Sequence, residues 1–546
     1  MRKIIAMKIR EKLLLCLLLW STCLVAQEQT DTIAPVELPP IIKDSLSAIA
    51  QEYITKDGLK AHLEILASNE YEGRETGLEG QKKAAAYIAN YFDSEGLPKI
   101  FGDTSYYQPI AFTSNRWSKI ELTIKGEKQR PLWNYYSYPS LNTSRDSFAT
   151  EQIVFLGFGI DDERYSDYKE VDVKGKTILV FDGEPMSSDS TYWVSGAKVA
   201  SDWSTDFRKK LKAAKQHGVA TILIIDRQFQ ANLQPARKLI LNTRLQIGAG
   251  EQPEKNYANN FFITSDLAKM IMGDTISKVI ALRDQINSEG KPHSFETPTS
   301  ILAIQKKRTR QVLGENVLGY IEGIDPERKE ELVVLTAHYD HIGMKGETVF
   351  NGADDNGSGT CGVLEICEAL LEAKKKGFGP RRSVLVMLVS GEEKGLLGSE
   401  YYAKNPIFPL ENTIANVNVD MIGRSDKKHE ADPRYIYVIG ADRLSTTLHD
   451  INEQANLNYT QLELDYTYND ENDPNRYYYR SDHYNFAKKG IPAVFYFSGT
   501  HPDYHRPSDT EEKILYDKYV EVAHLIFYTV WELANRDERI QVNVKQ

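Results

Sequence analysis

After Val317 the sequence alternates between short apolar runs and helical stretches, and this alternation constrains the fold more than any other feature. Apolar runs typical of buried strands cover residues 332–337, 383–390, 414–420, 435–439 and 493–497. Helical periodicity covers residues 361–376 and 514–533, with Ser508, Asp509 and Thr510 as candidate caps of the second helix. Strands that alternate with helices predict an α/β fold, in which helices flank a mixed, mostly parallel sheet.

The sequence before Val317 divides into two parts of different character. Residues 51–105 carry helical apolar stripes, whereas residues 106–300 carry short β-rich runs such as 153–157 and 177–181. We therefore expect an α/β domain formed by residues 51–105 and 301–546, interrupted by a β-rich insert over residues 106–300.

The first residues are typical of an export signal. Basic side chains precede an apolar run over residues 13–26, which is shorter than the about 20 residues needed to span a bilayer. We predict a signal peptide over residues 1–26, a linker over residues 27–50, and a periplasmic or extracellular protein with no stable membrane span. Lipid attachment at Cys23 is disfavoured, because Trp20-Ser21-Thr22 is a poor approach to a lipidation site.

Charge and cysteine content exclude some classes of protein. The chain has 66 Lys and Arg against 77 Asp and Glu, a net charge of −11, which argues against nucleic-acid binding. Cys361 and Cys367 lie six positions apart in a predicted helix, about 9 Å along its axis, too far for a disulfide. An exported protein without disulfides must depend on a large core or on bound metal.

Polar residues follow several of the predicted strands. His338 follows the run 332–337, Glu392 and Glu393 follow 383–390, Asp420 ends 414–420, and His505 lies beyond 493–497. Sites in α/β sheets form at the carboxyl ends of strands, so we expect these side chains to converge.

A Gly- and Asp-rich loop over residues 351–359 can bring a carboxylate from Asp354 or Asp355 to the same cleft. Imidazole and carboxylate ligands suit Zn²⁺. A set of His, Asp, Glu, Asp and His exceeds the three protein ligands of a single catalytic zinc, and two metals that share one carboxylate need five. The sequence therefore predicts two Zn²⁺ ions per chain.

These motifs resemble those of the co-catalytic zinc peptidase family that includes secreted bacterial leucyl aminopeptidases and glutamate carboxypeptidase. The resemblance covers nearly the whole mature chain, including the segment from Glu72 to Ala86. Residues 106–300 are similar to the protease-associated domain that many members insert. The resemblance implies an exported aminopeptidase that removes N-terminal residues from peptides.

The resemblance also implies roles for individual residues. His338 and Asp420 would hold one zinc, Glu393 and His505 the other, and Asp355 would bridge them, with a cis peptide bond to Asn356. Glu392 would be the general base that deprotonates a bridging water, and Asp340 the carboxylate that orients the histidine ligand.

Other residues receive less specific predictions. Tyr504 and Tyr478 are alternative donors to the oxyanion, and the sequence does not choose between them. Asp482 and His483 match a Ser-Asp-His motif that supports the ligands from behind. For His341 and His501 we expect a structural role or a place at the rim, and for Asp509 a helix cap.

Several alternatives remain at this point. Glutaminyl cyclases share the fold and most motif positions. A carboxypeptidase would need a cation for the terminal carboxylate, for which Arg480 and Arg424 are available. A receptor-like protein that lost its metals and an aminoacylase-type zinc peptidase are disfavoured, because every ligand position is filled and the long insert precedes the first histidine.

Overall fold

The structure is a computed structural model, which describes residues 40–102, 104–241, 244–248 and 253–544. The predicted signal peptide, Cys23 and the first part of the predicted linker lie outside these residues. Among the residues described, no helix is both long enough and apolar enough to cross a membrane.

The strands are numbered in the order in which they occur along the chain. They are β1 (Tyr107–Ile124), β2 (Glu127–Lys128), β3 (Tyr135–Tyr136), β4 (Arg145–Leu156), β5 (Thr177–Phe181), β6 (Thr221–Ile225), β7 (Arg244–Ile247), β8 (Asn259–Ile263), β9 (Ser294–Ile321), β10 (Leu332–His338), β11 (Gly343–Lys345), β12 (Thr348–Phe350), β13 (Ser383–Val389), β14 (Thr413–Val419), β15 (Tyr435–Ile439), β16 (Glu463–Asp465) and β17 (Ala493–Phe497).

The α-helices are numbered in the same way. They are α1 (Pro40–Tyr53), α2 (Lys56–Leu66), α3 (Glu79–Ser94), α4 (Asp202–Thr205), α5 (Arg208–Gln216), α6 (Phe229–Leu241), α7 (Pro253–Asn256), α8 (Ser265–Met272), α9 (Ile276–Glu289), α10 (Gly359–Lys375), α11 (Leu397–Lys404), α12 (Ala441–Leu444), α13 (Thr446–Ala455), α14 (His483–Ala487) and α15 (Tyr516–Asn535).

The sheet runs through the molecule in the order β16-β15-β17-β14-β10-β13-β9-β4-β5-β6-β8-β3, and β1 pairs with β9 beside this path. At its centre β10 is parallel to β13 and to β14, and β14 is parallel to β17. The strands β9 and β15 pair antiparallel with their neighbours β13 and β17. The predicted α/β fold with a mixed, mostly parallel sheet is therefore confirmed.

Two large apolar cores lie along this sheet. The first combines α1, α2 and α3 with strands and helices from residues 317–540, so the N-terminal helices pack on the C-terminal half. The second core lies within residues 122–303, where β5, β6 and β8 are fully buried. The long antiparallel ribbon of β1 and β9 joins the two parts, because each strand extends from one core to the other.

Two predictions about local structure are wrong. Residues 40–50 do not form a linker but belong to α1, whose Leu46, Ile49 and Ala50 are buried in the first core. The apolar spacing of these residues has a helical period that the neighbouring prolines obscure. The last helix begins at Tyr516, later than expected, and it has no side-chain cap.

Candidate metal centre

The candidate site lies at the carboxyl ends of three neighbouring parallel strands. His338 is the last residue of β10, and it pairs in register with Val389, the last residue of β13. Glu392 and Glu393 follow β13 after a short turn, and Asp420 follows β14. The parallel strand order therefore brings the three polar segments together, as the sequence predicts.

The loop between β12 and α10 adds Asp355 to this group. Buried Arg74 supports the loop by donating hydrogen bonds of 2.7 and 2.8 Å to the carbonyls of Asn351 and Gly352. The backbone N–H groups of Asp354 and Asp355 donate to the carboxylate of Asp509. Asp509 is therefore not a helix cap but supports this loop. The peptide bond between Asp355 and Asn356 is cis.

The two carboxylate oxygens of Asp355 face different groups of side chains. Oδ1 lies 3.5 Å from Nε2 of His338, which in turn lies 3.3 Å from Oδ1 of Asp420. Oδ2 lies 3.1 Å from Nε2 of His505, which lies 3.2 Å from Oε2 of Glu393. The five predicted ligands thus form two groups of three that share Asp355.

These separations fit metal ligands better than hydrogen-bonded pairs. Oδ2 of Asp355 is buried and accepts no hydrogen bond within the described residues, although Nε2 of His505 is only 3.1 Å away. Ligand atoms about 2.0–2.2 Å from a tetrahedral zinc lie roughly 3.3 Å from one another. The donor chemistry and the spacing of both groups therefore fit Zn²⁺.

The adjacent carboxylates Glu392 and Glu393 differ in their proton affinity. Burial raises the pKa of Glu392 well above its usual value, and the nearby His338 offsets only part of this effect. Burial would also raise the pKa of Glu393, but His341 and His505 hold it well below its usual value. Glu393 is therefore suited to remain ionised as a ligand, whereas Glu392 is suited to accept a proton.

His505 completes the group from a loop beyond β17. Its side chain is 36% exposed, and its backbone has a positive φ of 58°, a conformation uncommon for residues other than glycine. Burial would lower the pKa of His505, but Asp355 and Glu393 raise it to about 10. The imidazole is therefore held by these carboxylates at the open side of the site.

Asp340 lies directly behind His338, but its contact differs from the prediction. Nδ1 of His338 lies 3.0 Å from the backbone carbonyl oxygen of Asp340, whereas the carboxylate is 4.0 Å away. The carboxylate instead accepts hydrogen bonds from the hydroxyl of Thr76 (2.7 Å) and from the backbone N–H of Glu392 (3.2 Å). Asp340 therefore connects the histidine strand to the segment that carries Glu392. Sequence analysis did not identify Thr76.

His341 does not lie at the rim. It is fully buried, and its Nδ1 lies 2.8 Å from Oε1 of Glu393 and 3.7 Å from Oδ2 of Asp355. The one sequence signal for a place of His341 near the candidate ligands is its spacing of three residues from His338. His501 is also buried, with Nε2 at 3.3 Å from Oδ2 of Asp354, so it supports the ligand loop.

The Ser-Asp-His motif lies behind Asp420. The hydroxyl of Ser481 donates a 2.7 Å hydrogen bond to Oδ2 of Asp420. Asp482 accepts a hydrogen bond from Ser399, and His483 is buried against Phe495. The serine, which sequence analysis left without a role, is therefore the member of this motif that contacts a candidate ligand.

A narrow cavity of about 40 Å³ opens above the candidate ligands. Tyr504 lines this cavity and stacks on His505 with ring centroids 3.9 Å apart, whereas Tyr478 lines a different pocket. Arg480 also lines the cavity, but Arg424 forms an ion pair of 3.2 Å with Asp503. The remaining wall is mostly apolar and aromatic, and consists of Met421, Tyr477, Phe495 and Phe497 together with Thr500.

Comparison with known proteins links this half of the chain to a family. Residues 316–530 match the model described as peptidase family M28. A probable leucine aminopeptidase of Arthroderma otae is 31% identical over 221 residues, which cover 39% of this chain and 57% of that protein. Aminopeptidase YwaD of Bacillus subtilis is 26% identical over 241 residues, which cover 42% of this chain and 47% of that protein.

The matched region thus spans about half the length of these two curated relatives. A solved aminopeptidase from an Aneurinibacillus species superposes with a TM-score of 0.53 at 18% identity, and covers 92% of this chain and 98% of that one. This structural likeness extends beyond residues 316–530 and supports the fold.

Proposed function

We propose that the protein is an exported metallo-aminopeptidase with two zinc ions, and the match of residues 316–530 to the model of peptidase family M28 supports this proposal. The observation that carries this proposal is the shared position of Asp355, whose two oxygens face His338 and His505 at 3.5 and 3.1 Å. A single carboxylate between two histidine-bearing groups is the arrangement that a two-metal hydrolase needs.

Each group would hold one ion. His338 and Asp420 would hold the first, Glu393 and His505 the second, and Asp355 would contribute one oxygen to each. Zinc bound there would supply a Lewis acid that polarises the scissile carbonyl and makes water more acidic.

The protein side chains would handle the proton and the developing charge. Glu392 would take the proton from the attacking water and deliver it to the leaving amine, since its raised pKa favours proton uptake. Asp340 would hold the backbone of Glu392 in place through its 3.2 Å contact. Tyr504 lines the cavity, which favours it over Tyr478 as the donor to the oxyanion.

The site favours removal of an N-terminal residue. The carboxylates around the cavity would attract a free α-amino group, and the apolar wall of Met421, Tyr477 and Phe497 suits an apolar side chain. Relatives named leucine aminopeptidase and aminopeptidase support the same activity.

One observation favours carboxypeptidase activity as a second candidate. Arg480 lines the cavity and could bind a terminal carboxylate, although its guanidinium also lies 4.7 Å above the ring of Tyr477. Glutaminyl cyclase activity remains the other alternative with the same ligands, since it needs no cation for a carboxylate.

Blocked peptides separate these activities. Zinc-loaded protein should cleave Leu-Ala-Ala-amide, which has a free amino end, and should leave N-acetyl-Ala-Ala-Leu intact. Cleavage of the acetylated peptide alone would establish the carboxypeptidase. Ammonia release from Gln-Ala-amide without peptide cleavage would establish the cyclase. Zinc content of the purified protein should approach two per chain, and a protein that binds no zinc would contradict all three activities.

Two further parts of the proposal concern the remaining chain. Residues 106–300 would be a protease-associated domain, supported by their separate apolar core and by their position between the two parts of the α/β domain. Export would follow from the basic and apolar residues 1–26.

A further inference from the structure

A second cavity of about 280 Å³ lies against the ribbon of β1 and β9, on the side of the metal centre that carries Glu75 and Lys394. The cavity shares no lining residue with the cavity above the candidate ligands. Four cationic side chains line this cavity, namely Arg116, Arg308, Arg310 and Lys394.

The register of the ribbon places three of these cations on one face. Arg116 of β1 lies directly opposite Arg308 of β9, and Ser114 lies directly opposite Arg310. Side chains two residues apart on a strand share a face, so the three guanidinium groups project together. Like charges directly opposite each other destabilise an antiparallel pair. Arg116, Arg308 and Arg310 are exposed, so water screens much of this repulsion and the remaining cost to the ribbon is small.

No carboxylate in the described part of the chain lies within ion-pair distance of Arg116, Arg308 or Arg310. The acidic residue of the cavity wall is Glu75, and its Oε1 lies 3.0 Å from Nζ of Lys394. One acidic group is thus matched by one cation, and the three guanidinium groups have no acidic partner among the residues that the structure describes. A bound anion would relieve their mutual repulsion.

The cavity is adjacent to the metal centre through two segments of chain. Lys394 directly follows Glu393, so neighbouring side chains of one turn face the cavity and the candidate ligands. On the other side, Thr76 lines the cavity and its hydroxyl donates a hydrogen bond to Asp340. The neighbouring Glu75 forms an isolated parallel β-bridge with His341. The cavity therefore adjoins the segments that carry Asp340 and Glu393.

We propose that this cationic cavity binds a carboxylate of the peptide substrate on the C-terminal side of the scissile bond. The proposal rests on the proposed aminopeptidase function, in which the part of the peptide on the C-terminal side of the scissile bond extends away from the metal centre. Guanidinium groups bind carboxylates through two parallel hydrogen bonds, which makes the side chain of Asp or Glu the fitting ligand. The protein would accordingly prefer peptides with an acidic residue after the cleaved bond.

The test compares acidic substrates with their neutral amides. The substrates are Leu-initiated tetrapeptide amides that carry Asp or Asn at the second, third or fourth position, so no terminal carboxylate interferes. At one position or more, the wild-type protein should cleave the Asp peptide with a kcat/KM about tenfold above that of the Asn peptide, the size of one charge-assisted hydrogen bond. The difference should appear in KM, because the contact is made before the reaction as well as during it.

The double variant R308Q/R310Q should reduce this ratio to about one, and the matched variant R237Q should retain it. Arg237 is an exposed arginine of α6 outside the cavity. Thermal unfolding of R308Q/R310Q should occur at or above the wild-type temperature, because the substitution removes like charges.

Equal cleavage of Asp and Asn peptides by the wild-type protein would overturn the proposal, as would a ratio that survives in R308Q/R310Q. Inorganic phosphate tests whether the cavity binds a free anion instead of the substrate. If phosphate alters cleavage of Leu-p-nitroanilide while the peptides show no Asp preference, the cavity binds a free anion and the substrate assignment is wrong. Failure of zinc-loaded wild-type protein to cleave any Leu-initiated substrate would instead contradict the aminopeptidase function itself.

Discussion

The hydroxyl of Thr76 donates a 2.7 Å hydrogen bond to Oδ2 of Asp340, and both side chains are buried. Asp340 uses its other oxygen to accept the backbone N–H of Glu392. A residue from the N-terminal segment therefore helps to hold the candidate general base, which lies in the turn after β13.

We predict that T76V lowers kcat by about tenfold or more, because supporting hydrogen bonds of this kind contribute roughly 10- to 100-fold. Valine preserves the shape of threonine but leaves Oδ2 of the buried Asp340 without a donor. T76S should retain most of the activity, since it keeps the hydroxyl. Equal kcat values for T76V and T76S would show that the hydrogen bond has no role in catalysis.

E392Q should lower kcat by about 10²- to 10⁴-fold, because general base catalysis contributes that much. Glutamine has nearly the same shape as glutamate but cannot accept the proton. Zinc content measured by elemental analysis should stay at the wild-type value, whereas E393Q should lose zinc. Unchanged turnover in E392Q would assign the base to another residue.

His341 should matter for metal retention. Its Nδ1 lies 2.8 Å from Oε1 of Glu393 without hydrogen-bond geometry, so the imidazole packs against the carboxylate whose other oxygen faces His505. H341L should release zinc at least about tenfold faster in a chelator competition assay, a typical effect for a residue behind a ligand. H341N places an amide nitrogen near the position of Nδ1 and should release zinc more slowly than H341L. The same rate for both variants would contradict this role.

Removal of metal should lower the stability of the fold as well as the activity. Without cations, the side chains of Asp355, Glu393 and Asp420 would be close together and largely shielded from water, with side-chain exposures of 5, 8 and 11%. A ligand at a thousand times its Kd stabilises the native state by about 4 kcal/mol. Calorimetry with EDTA should therefore show a clearly lower Tm, and zinc titration should restore it with a break at two ions per chain. A Tm that does not respond to zinc would argue against a structural contribution of the metals.

His483 should make the stability depend on pH. Burial lowers its pKa to about 3, from 6.5 in the unfolded chain. Between these values the unfolded state binds the proton and the folded state does not, so stability is complete above pH 6.5 and decreases as the pH falls toward 3. The decrease should be about 1.4 kcal/mol per pH unit.

Urea unfolding of the metal-free protein at pH 7, 6 and 5 measures this effect. H483F should show a shallower decrease than the wild-type protein, because it removes the titrating group and keeps a ring against Phe495. Parallel pH profiles for the two proteins would mean that His483 does not titrate in this range.

Much of the α/β half could be predicted from local sequence. The strands β15 and β17 begin and end where their apolar runs do, and β10, β13 and β14 differ from the predictions only at their ends. Apolar runs bounded by polar residues specify buried strands through local burial alone. The polar residues at the strand ends could be recognised for the same reason, since their positions follow from where each strand stops.

Contacts between distant segments could not be predicted in this way. The apolar period of α1 did not show that Leu46 and Ile49 pack on the first core, nor did the sequence show that Thr76 reaches Asp340. Asp509 received the wrong role, and for His341 the sequence did not choose between a structural role and the rim, because the direction of a side chain beyond a strand end depends on how the loop folds.

The sequence by itself determined the fold class and the set of side chains suited to zinc, because both depend on residue type and on spacing along single elements. Only the tertiary structure decided which oxygen of Asp355 faces which histidine, which tyrosine lines the cavity, and that Arg116 lies opposite Arg308. These relationships depend on strand register and on the packing of segments far apart in the chain, and no local pattern encodes them.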